Sequence, residues 1–359
     1  RSPVPATSSL AVRMTDVATG LEFPWGLAFL PDGRMLVTER AGRVRVVASG
    51  SQVGEPPAGV PPVLYDDQGG LLDVALDPQF AKNRVVYLSY SEPGEGSGVA
   101  GTSVARAELG AKGLQNLRVI YRQRPKLKGS AHFGSRIVFR RDGTMFVTQG
   151  ERFDYRDQAQ DLMSGLGKIV RINKDGSVPR DNPLVGRKDA LPHIWSYGHR
   201  NVQGAALHPE TGQLWTIEHG ARGGDELNHP EPGKNYGWPI IAYGMNYNRT
   251  PIGEGITAKA GMEQPVYYWD PVIAPSGLTF YTGDKFPSFK GGILISSLRG
   301  GFVHLTLKDG RVAQERRYLQ KEAGRTRYVL QGPDGFLYLL IDNQKGRIVR
   351  VSPELKQHE

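Results

Sequence analysis

The sequence predicts an all-β protein, a six-bladed β-propeller of four-stranded antiparallel blades. Three observations carry this. The 359-residue chain is rich in turn formers, with Gly 46 and Pro 25, and these fall between short β-branched or aromatic runs. One phrase, apolar strand, Asp/Pro/Gly turn, apolar strand, recurs six times in series. Helical periodicity is weak throughout, and the longest candidate, around Gln158–Gly165, reads as a short loop helix.

The repeats follow in order along the chain. WGLAFLPDGRMLVTER begins at Trp25, GLLDVALDPQFAKNRVVYLSYS at Gly70, and SRIVFRRDGTMFVTQGE at Ser135. VQGAALHPETGQLWTIEHG begins at Val202, SGLTFYTGDKFPSFKGGILISS at Ser276, and RYVLQGPDGFLYLLID at Arg327. Spacings of roughly 45–75 residues suit blades with variable insertions. Third strands follow in AGRVRVVA, GKIVRIN, GGFVHLTL and KGRIVRVS. The turns suit tight hairpins, with Gly supplying positive φ and Asp bonding back to the backbone. The early run LAVRMTDVA, from Leu10, has no hairpin partner of its own. It is expected to complete the last blade and close the ring, removing exposed edges. Residues 1–9 read as a stub or linker, and residues 10–359 as one propeller domain. A β-sandwich is the competing architecture; six similar hairpins in series with long connectors favour the propeller.

Composition narrows the function. Hydrophobic residues make up 39%, enough for a large core at this length. Lys+Arg 45 against Asp+Glu 36 gives a net charge of +9, which favours anionic partners. The basic residues form no run and no basic helix, which argues against a nucleic-acid groove. Cysteine is absent, excluding disulfides, thiolate metal sites, iron–sulfur clusters and a Cys nucleophile. No apolar run approaches the length of a membrane span. The opening RSPVPATSS resembles the stub left by removal of an export signal, or an engineered boundary. An exported mature protein, periplasmic or extracellular, is expected.

The chemistry lies at the strand entrances. Arg325 and Arg327 sit in GRTRYVL, Arg299 in SSLRGG, Arg200 and Asn201 in GHRN, and His132 in AHFGSR. A closed ring can bring such distant groups to one central pocket. Several guanidinium groups call for a small, multiply anionic ligand, because Arg binds carboxylates in bidentate fashion. That favours a carboxylate-bearing cofactor over a sugar alone. Gln68, in DDQGGLLD, can donate from the same side. His132 is readable either as a general base at physiological pH or as a structural histidine. In EHGARGGDELNHPEPGKNYGWP, the carboxylates of Glu218, Asp225 and Glu226 surround flexible glycines. This stretch is either a plain turn or an oxygen-rich site for a hard cation such as calcium, though not with EF-hand spacing. Tyr236 and Trp238, in NYGWP, either sandwich a flat ring or plug the interior.

The ordered set QGGLLD, H-x-x-x-R-[IL]-V with its DG turn, HRN-x-QG, EHG then GDE-[LI]-N, NYGWP, AP-S-G, SLR-G and R-x-R spans nearly the whole chain. It resembles the soluble quinoprotein sugar dehydrogenases that depend on pyrroloquinoline quinone (PQQ), especially the aldose sugar dehydrogenase branch. The resemblance implies that His132 takes the proton of the sugar's anomeric hydroxyl. It implies that Gln68, Arg200, Asn201, Arg299, Arg325 and Arg327 hold PQQ. Calcium (Ca2+) would rest on the backbone carbonyls of Gly220 and Ala221 together with cofactor atoms. The implied reaction turns an aldose into its lactone and passes electrons to an acceptor the sequence does not name.

Four departures from the glucose-specific relatives stand out. Arg299 replaces a Lys, Glu151 an Asp, Ala131 an Asp, and Ala221 a Pro. The long insertions that shape the dimer and sugar pocket of those relatives are not apparent, so a monomer is expected rather than a dimer. Two other classes compete: a calcium-dependent lactonase-type hydrolase, and a non-enzymatic interaction propeller.

Overall fold

The computed structural model describes residues 6–7, 11–48, 50 and 53–354, and their strands form six sheets. The innermost strands are Pro24–Phe29, Leu71–Leu76, Ile137–Phe139, Val202–Leu207, Pro275–Phe280 and Thr326–Gln331. Each touches the next, and the sixth touches the first. The ring is therefore a closed six-bladed propeller. The third, fourth and sixth blades have four strands, and the first has three among the described residues. In the second blade both Gly113–Arg122 and Leu127–Lys128 pair with Val99–Gly110.

Local chemistry explains the elements. In five blades the strand after the innermost one is buried at every residue: Met35–Glu39, Met145–Thr148, Leu214–Glu218, Ile293–Ser297 and Leu337–Ile341. A blade is covered on both faces by its neighbours, so its strands read as near-continuous apolar runs rather than alternating ones. The Asp-Gly turns work as expected: Asp32, Asp142 and Asp334 each accept from the N–H two residues on. Gly33, Gly143 and Gly335 sit at φ of 88°, 86° and 80°. Helix is confined to Phe80–Asn83 and to 3-10 turns at Arg156–Gln160 and Pro287–Phe289. The loop helix expected near Gln158 starts earlier and ends sooner, and the Phe80 turn was not anticipated.

The ring closes through the early strand. Val12–Leu21 pairs antiparallel with Gly346–Pro353, from Val12 opposite Pro353 to Leu21 opposite Gly346. Leu10 itself lies outside the described residues. Ala6–Thr7 pairs in parallel with Glu315 and Arg316 on the fifth blade, and the remainder of residues 1–9 lies outside the described residues.

Hydroxyl groups stitch neighbouring blades together. Gly26 N donates to Thr38 Oγ1, which donates to Leu72 O in the next blade. Asp73 N, Ser89 Oγ and Ser135 O repeat the pattern, as do Arg136 N, Thr148 Oγ1 and Val202 O. In the fifth blade, Ser276 Oγ donates to Thr326 O.

On the axis lies Arg136, 2% exposed. Its guanidinium donates to Gln203 O at 2.6 Å, Ser276 O at 2.7 Å, Arg327 O at 3.1 Å and Asp73 Oδ1 at 3.4 Å. It is sandwiched 4.1 Å from the ring centres of both Trp25 and Tyr328. One side chain thus contacts all six blades, counting its own. Burial pushes the Asp73 carboxyl above its ordinary range, against the pull of Arg136.

Arg136→Met should cost about 3–5 kcal/mol, because it leaves Asp73 without its buried cation, held only by the Val74 and Ile137 N–H groups, and takes the guanidinium donor from three carbonyls. Chemical denaturation of the two proteins checks this; a loss under about 1 kcal/mol would mean the axial contacts are not stabilising.

Candidate active site

At the end of the ring where the innermost strands begin lies a cavity of about 320 Å³. Its walls come from four strand entrances: His132 before Ile137, Arg200 and Asn201 before Val202, Ala274 before Pro275, and Arg325 before Thr326. Gln68 enters from ahead of Leu71, and Arg327 from within its own strand. The loop following Leu214–Glu218 adds His219, Gly220 and Ala221. Closing the ring converts residues nearly 260 positions apart (Gln68 to Arg327) into one lining.

His132 is 4% exposed, and its Nδ1 is paired with Glu151 Oε1. Glu151 also accepts from Trp238 Nε1 at 2.9 Å and from Phe153 N at 2.8 Å. Burial works to raise Glu151, but its bonds to His132 and Trp238 and the charge of Arg200 hold it below its usual range. Burial, then the positive field of Arg200, pushes His132 below its ordinary value, with Glu151 opposing. The imidazole is therefore neutral at physiological pH. Its Nδ1–H is committed to Glu151, leaving the Nε2 lone pair as the proton acceptor.

The cationic side is built around Asp342. Its Oδ2 accepts from Arg325 Nε at 2.7 Å and Arg327 Nη2 at 2.9 Å. Arg327 also donates to Gln203 Oε1 at 2.9 Å, and burial drags it down to about 10 despite Asp342. His219 bonds the same Gln203 oxygen at 2.8 Å; burial, then Arg327 and Arg200, push its imidazole well below the usual value. Arg325 and Arg327 thus share one carboxylate partner, while the Arg200 guanidinium donates to the His219 and Gly220 carbonyls and the Tyr247 hydroxyl. Nε of Arg200 and Nε of Arg327 are buried without a hydrogen-bond partner, as are those of Arg40, Arg45 and Arg350 away from the lining.

Gln68 and Asn201 do double duty. Gln68 Oε1 accepts from His132 N at 2.9 Å, and Asn201 Oδ1 accepts from Gly134 N at 3.0 Å. Both carbonyl ends hold the His132 loop, which leaves the amide NH2 groups for a ligand. Asp225 braces the opposite wall, accepting from Gly220 N, Ile273 N and Ala274 N. Burial raises it to about 6 against those bonds.

Arg299 does not join the lining: it is exposed, and its neighbour Leu298 faces the cavity instead. The carboxylates considered for a cation are not gathered into a ligand set. Glu218 is tied to His199, Arg200 N and Asn228, and Glu226 is held well above its usual range by burial and the nearby Glu218 charge. No cluster of metal-binding side chains occurs among the described residues. At the proposed calcium turn, Arg200 Nη1 donates to His219 O and Gly220 O. Of the aromatic residues, Trp238 is buried against Glu151, Tyr236 stacks on His199, and Trp269 is buried with Nε1 on Glu315. The aromatic residue at the mouth is Tyr247, 61% exposed, which sequence reading missed because it lies in an insertion without a repeat partner.

The glucose/sorbosone dehydrogenase family matches residues 21–350. The chain is 44% identical over 339 residues to the aldose sugar dehydrogenase YliI of Escherichia coli, covering 93% of this chain and 91% of that one. The apo-form structure of the soluble aldose sugar dehydrogenase of E. coli superimposes with a TM-score of 0.92 at 42% identity, covering 96% of this chain and all (100%) of that one. The PQQ-bound form of the Streptomyces coelicolor aldose sugar dehydrogenase gives 0.80 at 30% identity, covering 97% and 99%. The family model and these relatives span nearly the whole chain, and the chain belongs to the glucose/sorbosone dehydrogenase family of soluble quinoprotein sugar dehydrogenases.

Proposed function

We propose that the protein oxidises the C1 hydroxyl of aldose sugars to lactones, with PQQ as the resident acceptor and calcium assisting. The observation that carries this is the pairing of His132, its Nδ1 bonded to Glu151, with a cavity wall that gathers the guanidinium groups of Arg200, Arg325 and Arg327. The wall fits a ligand with several carboxylates, and the cavity volume lies within the range of small-molecule sites. Arg325, Arg327 and Arg200 would hold the carboxylates, with Gln68 and Asn201 donating through their amides. The bound quinone supplies the two-electron acceptor that the protein's own side chains lack.

The protein's contribution is proton removal and orientation. His132 Nε2 accepts the C1 hydroxyl proton, and Glu151 steadies the imidazolium that forms. The low dielectric of the site strengthens that pairing. The sugar must enter past Tyr247 and Phe153, whose rings lie 6.5 Å apart and 22° from parallel. Calcium fits less directly than the quinone, because the Gly220 carbonyl already accepts from Arg200. A cation at this turn requires Arg200 to swing toward the cofactor's carboxylates.

Reconstitution with PQQ and Ca2+, followed by aldose, should reduce the bound chromophore in a sugar-dependent way; no spectral change with any aldose would refute the reading. Arg327→Ala should weaken PQQ binding tenfold or more, since a charged hydrogen bond is worth about 1.5–3 kcal/mol, as read by titrating the apoprotein.

The acid limb of kcat/KM should lie below pH 6.5, the ordinary value for imidazole, because burial and Arg200 depress His132. Activity rises with pH as His132 loses its proton. Glu151 opposes the depression, so Glu151→Gln should move the limb to still lower pH while lowering kcat. A limb that moved upward in this variant would contradict the assignment.

Calcium and PQQ should bind with positive coupling of roughly 5- to 150-fold, because the quinone draws Arg200 off the Gly220 carbonyl. Arg200→Ala should raise the affinity of the quinone-free protein for Ca2+. Calorimetry measures both; Ca2+ affinity indifferent to PQQ and to Arg200 would remove calcium from this turn.

A further inference from the structure

Directly behind the base stands a second buried guanidinium that does not line the cavity. Arg152 is 1% exposed, and none of its partners is a carboxylate. Its Nε donates to Ala131 O at 3.2 Å, Nη1 to Ala100 O, and Nη2 to Gly129 O and, at 3.4 Å, to Leu127 O. Its Cζ lies 4.1 Å from the centre of the Phe133 ring. Burial lowers it to about 10, with only Tyr155 opposing. A charge taken out of water without a counter-ion is expensive. Four carbonyl dipoles and an aromatic face are the compensation here.

Three of those four carbonyls belong to residues 127–131, the approach to His132, and the ring belongs to the residue after it. The backbone there is unusual. His132, Arg152 and Phe153 sit at φ of 57°, 66° and 67°, and Ser135 at 97°, a region that non-glycine residues occupy at a cost. The two strained segments interlock at backbone distance: a Cβ on Gly150 would lie 2.0 Å from His132 O, and one on Gly134 2.5 Å from the Gln149 Cα. Phe153 then meets the imidazole edge-on, with ring centres 5.2 Å apart.

We propose that Arg152 is a positioning residue: its guanidinium pins the approach segment by three carbonyls, ties it to the second blade through Ala100, and so holds His132 in a left-handed backbone with Nε2 free toward the cavity. The argument rests on the reading of His132 as the base. Only a planar fork serves, because the carbonyls lie on several sides of the group, and a Lys nitrogen is a single point donor. Glu151 fixes one ring nitrogen; Arg152 fixes the backbone from which the ring hangs. Misplacing a base by about 1 Å is worth up to about 100-fold in rate, so the brace acts on kcat rather than on ligand binding.

The test is a double-mutant cycle with an independent spectroscopic readout. Arg152→Lys should lower kcat roughly 10- to 100-fold while KM and the PQQ dissociation constant stay within about twofold. In a His132→Gln background the same change should have no further effect, because the group it positions is gone. Histidine ring nitrogen signals of the apoprotein should show a single Nδ1–H tautomer for His132 in the parent and a mixture in Arg152→Lys. These signals need no turnover, so failure of the proposed reaction leaves this arm standing. Should Arg152→Lys not fold, Phe133→Leu keeps every carbonyl bond, removes only the ring beneath the guanidinium, and should lower kcat a few-fold (~3-fold) in the His132 background alone. Full effects in both backgrounds, or an unchanged tautomer with unchanged kcat, would overturn the role.

Discussion

The molecule depends on how six blades meet at one axis. The fourth, fifth and sixth innermost strands bring backbone carbonyls to the axis at Gln203, Ser276 and Arg327, where each needs a donor. Arg136 resolves this with one planar cation that donates to all three carbonyls and lies between the rings of Trp25 and Tyr328. The hydroxyl relays between neighbouring blades repeat the logic on a smaller scale, each accepting from its own blade and donating to the next. The same contacts reach the candidate site, since Gln203 and Arg327 lend their carbonyls to Arg136 and their side chains to the cavity. Axial closure and the geometry of the cationic wall are one network.

Electrostatics divide the site into two halves. On one side Arg200, Arg325 and Arg327 keep a positive surplus that Asp342 only partly offsets. On the other, His132 and Glu151 share a buried hydrogen bond. Burial first, and the positive half after it, push His132 and His219 below the ordinary imidazole value. An anionic ligand would relieve that field, so the basicity of His132 is tied to what occupies the arginine wall. Arg200 belongs to both halves: its backbone O accepts from Glu151 N, and its guanidinium rests on the Gly220 turn.

Much of this was legible in the chain. The repeated apolar-turn-apolar phrase is a direct consequence of blades covered on both faces, and Asp-Gly turns carry their own conformational signature. Gln68, His132, Arg200, Asn201, Arg325 and Arg327 stood out as polar groups beside apolar strands, Gly220 and Ala221 only through the family resemblance, and the ring brings all of them to one cavity. Arg299 lies in the turn after Ile293–Ser297, exposed, and Leu298 rather than Arg299 lines the cavity. Arg136 and Arg152 were not readable as partners of anything. Arg136 bonds residues up to 191 positions away, and Arg152 uses carbonyls, which every residue possesses. A charged residue opening an otherwise buried strand, as in SRIVF, was the available signal. Tyr247 sits in an insertion where no repeat exists to align it.

The closing strand has a consequence for assembly. Leu21 and Gly346 lie 325 positions apart in sequence, yet their strands, Val12–Leu21 and Gly346–Pro353, pair side by side. A chain emerging from the ribosome can stack its intermediate blades in order, but Val12–Leu21 has no neighbour until Gly346–Pro353 has been made. Arg325 and Arg327 arrive on that same terminal blade. Ring closure and ligand competence are therefore coupled events, and a nascent chain that lacks the closing blade holds no finished pocket. The joint between first and last is also where a circular molecule keeps its seam, and shortening either end opens the ring at the blade that bears its cationic wall.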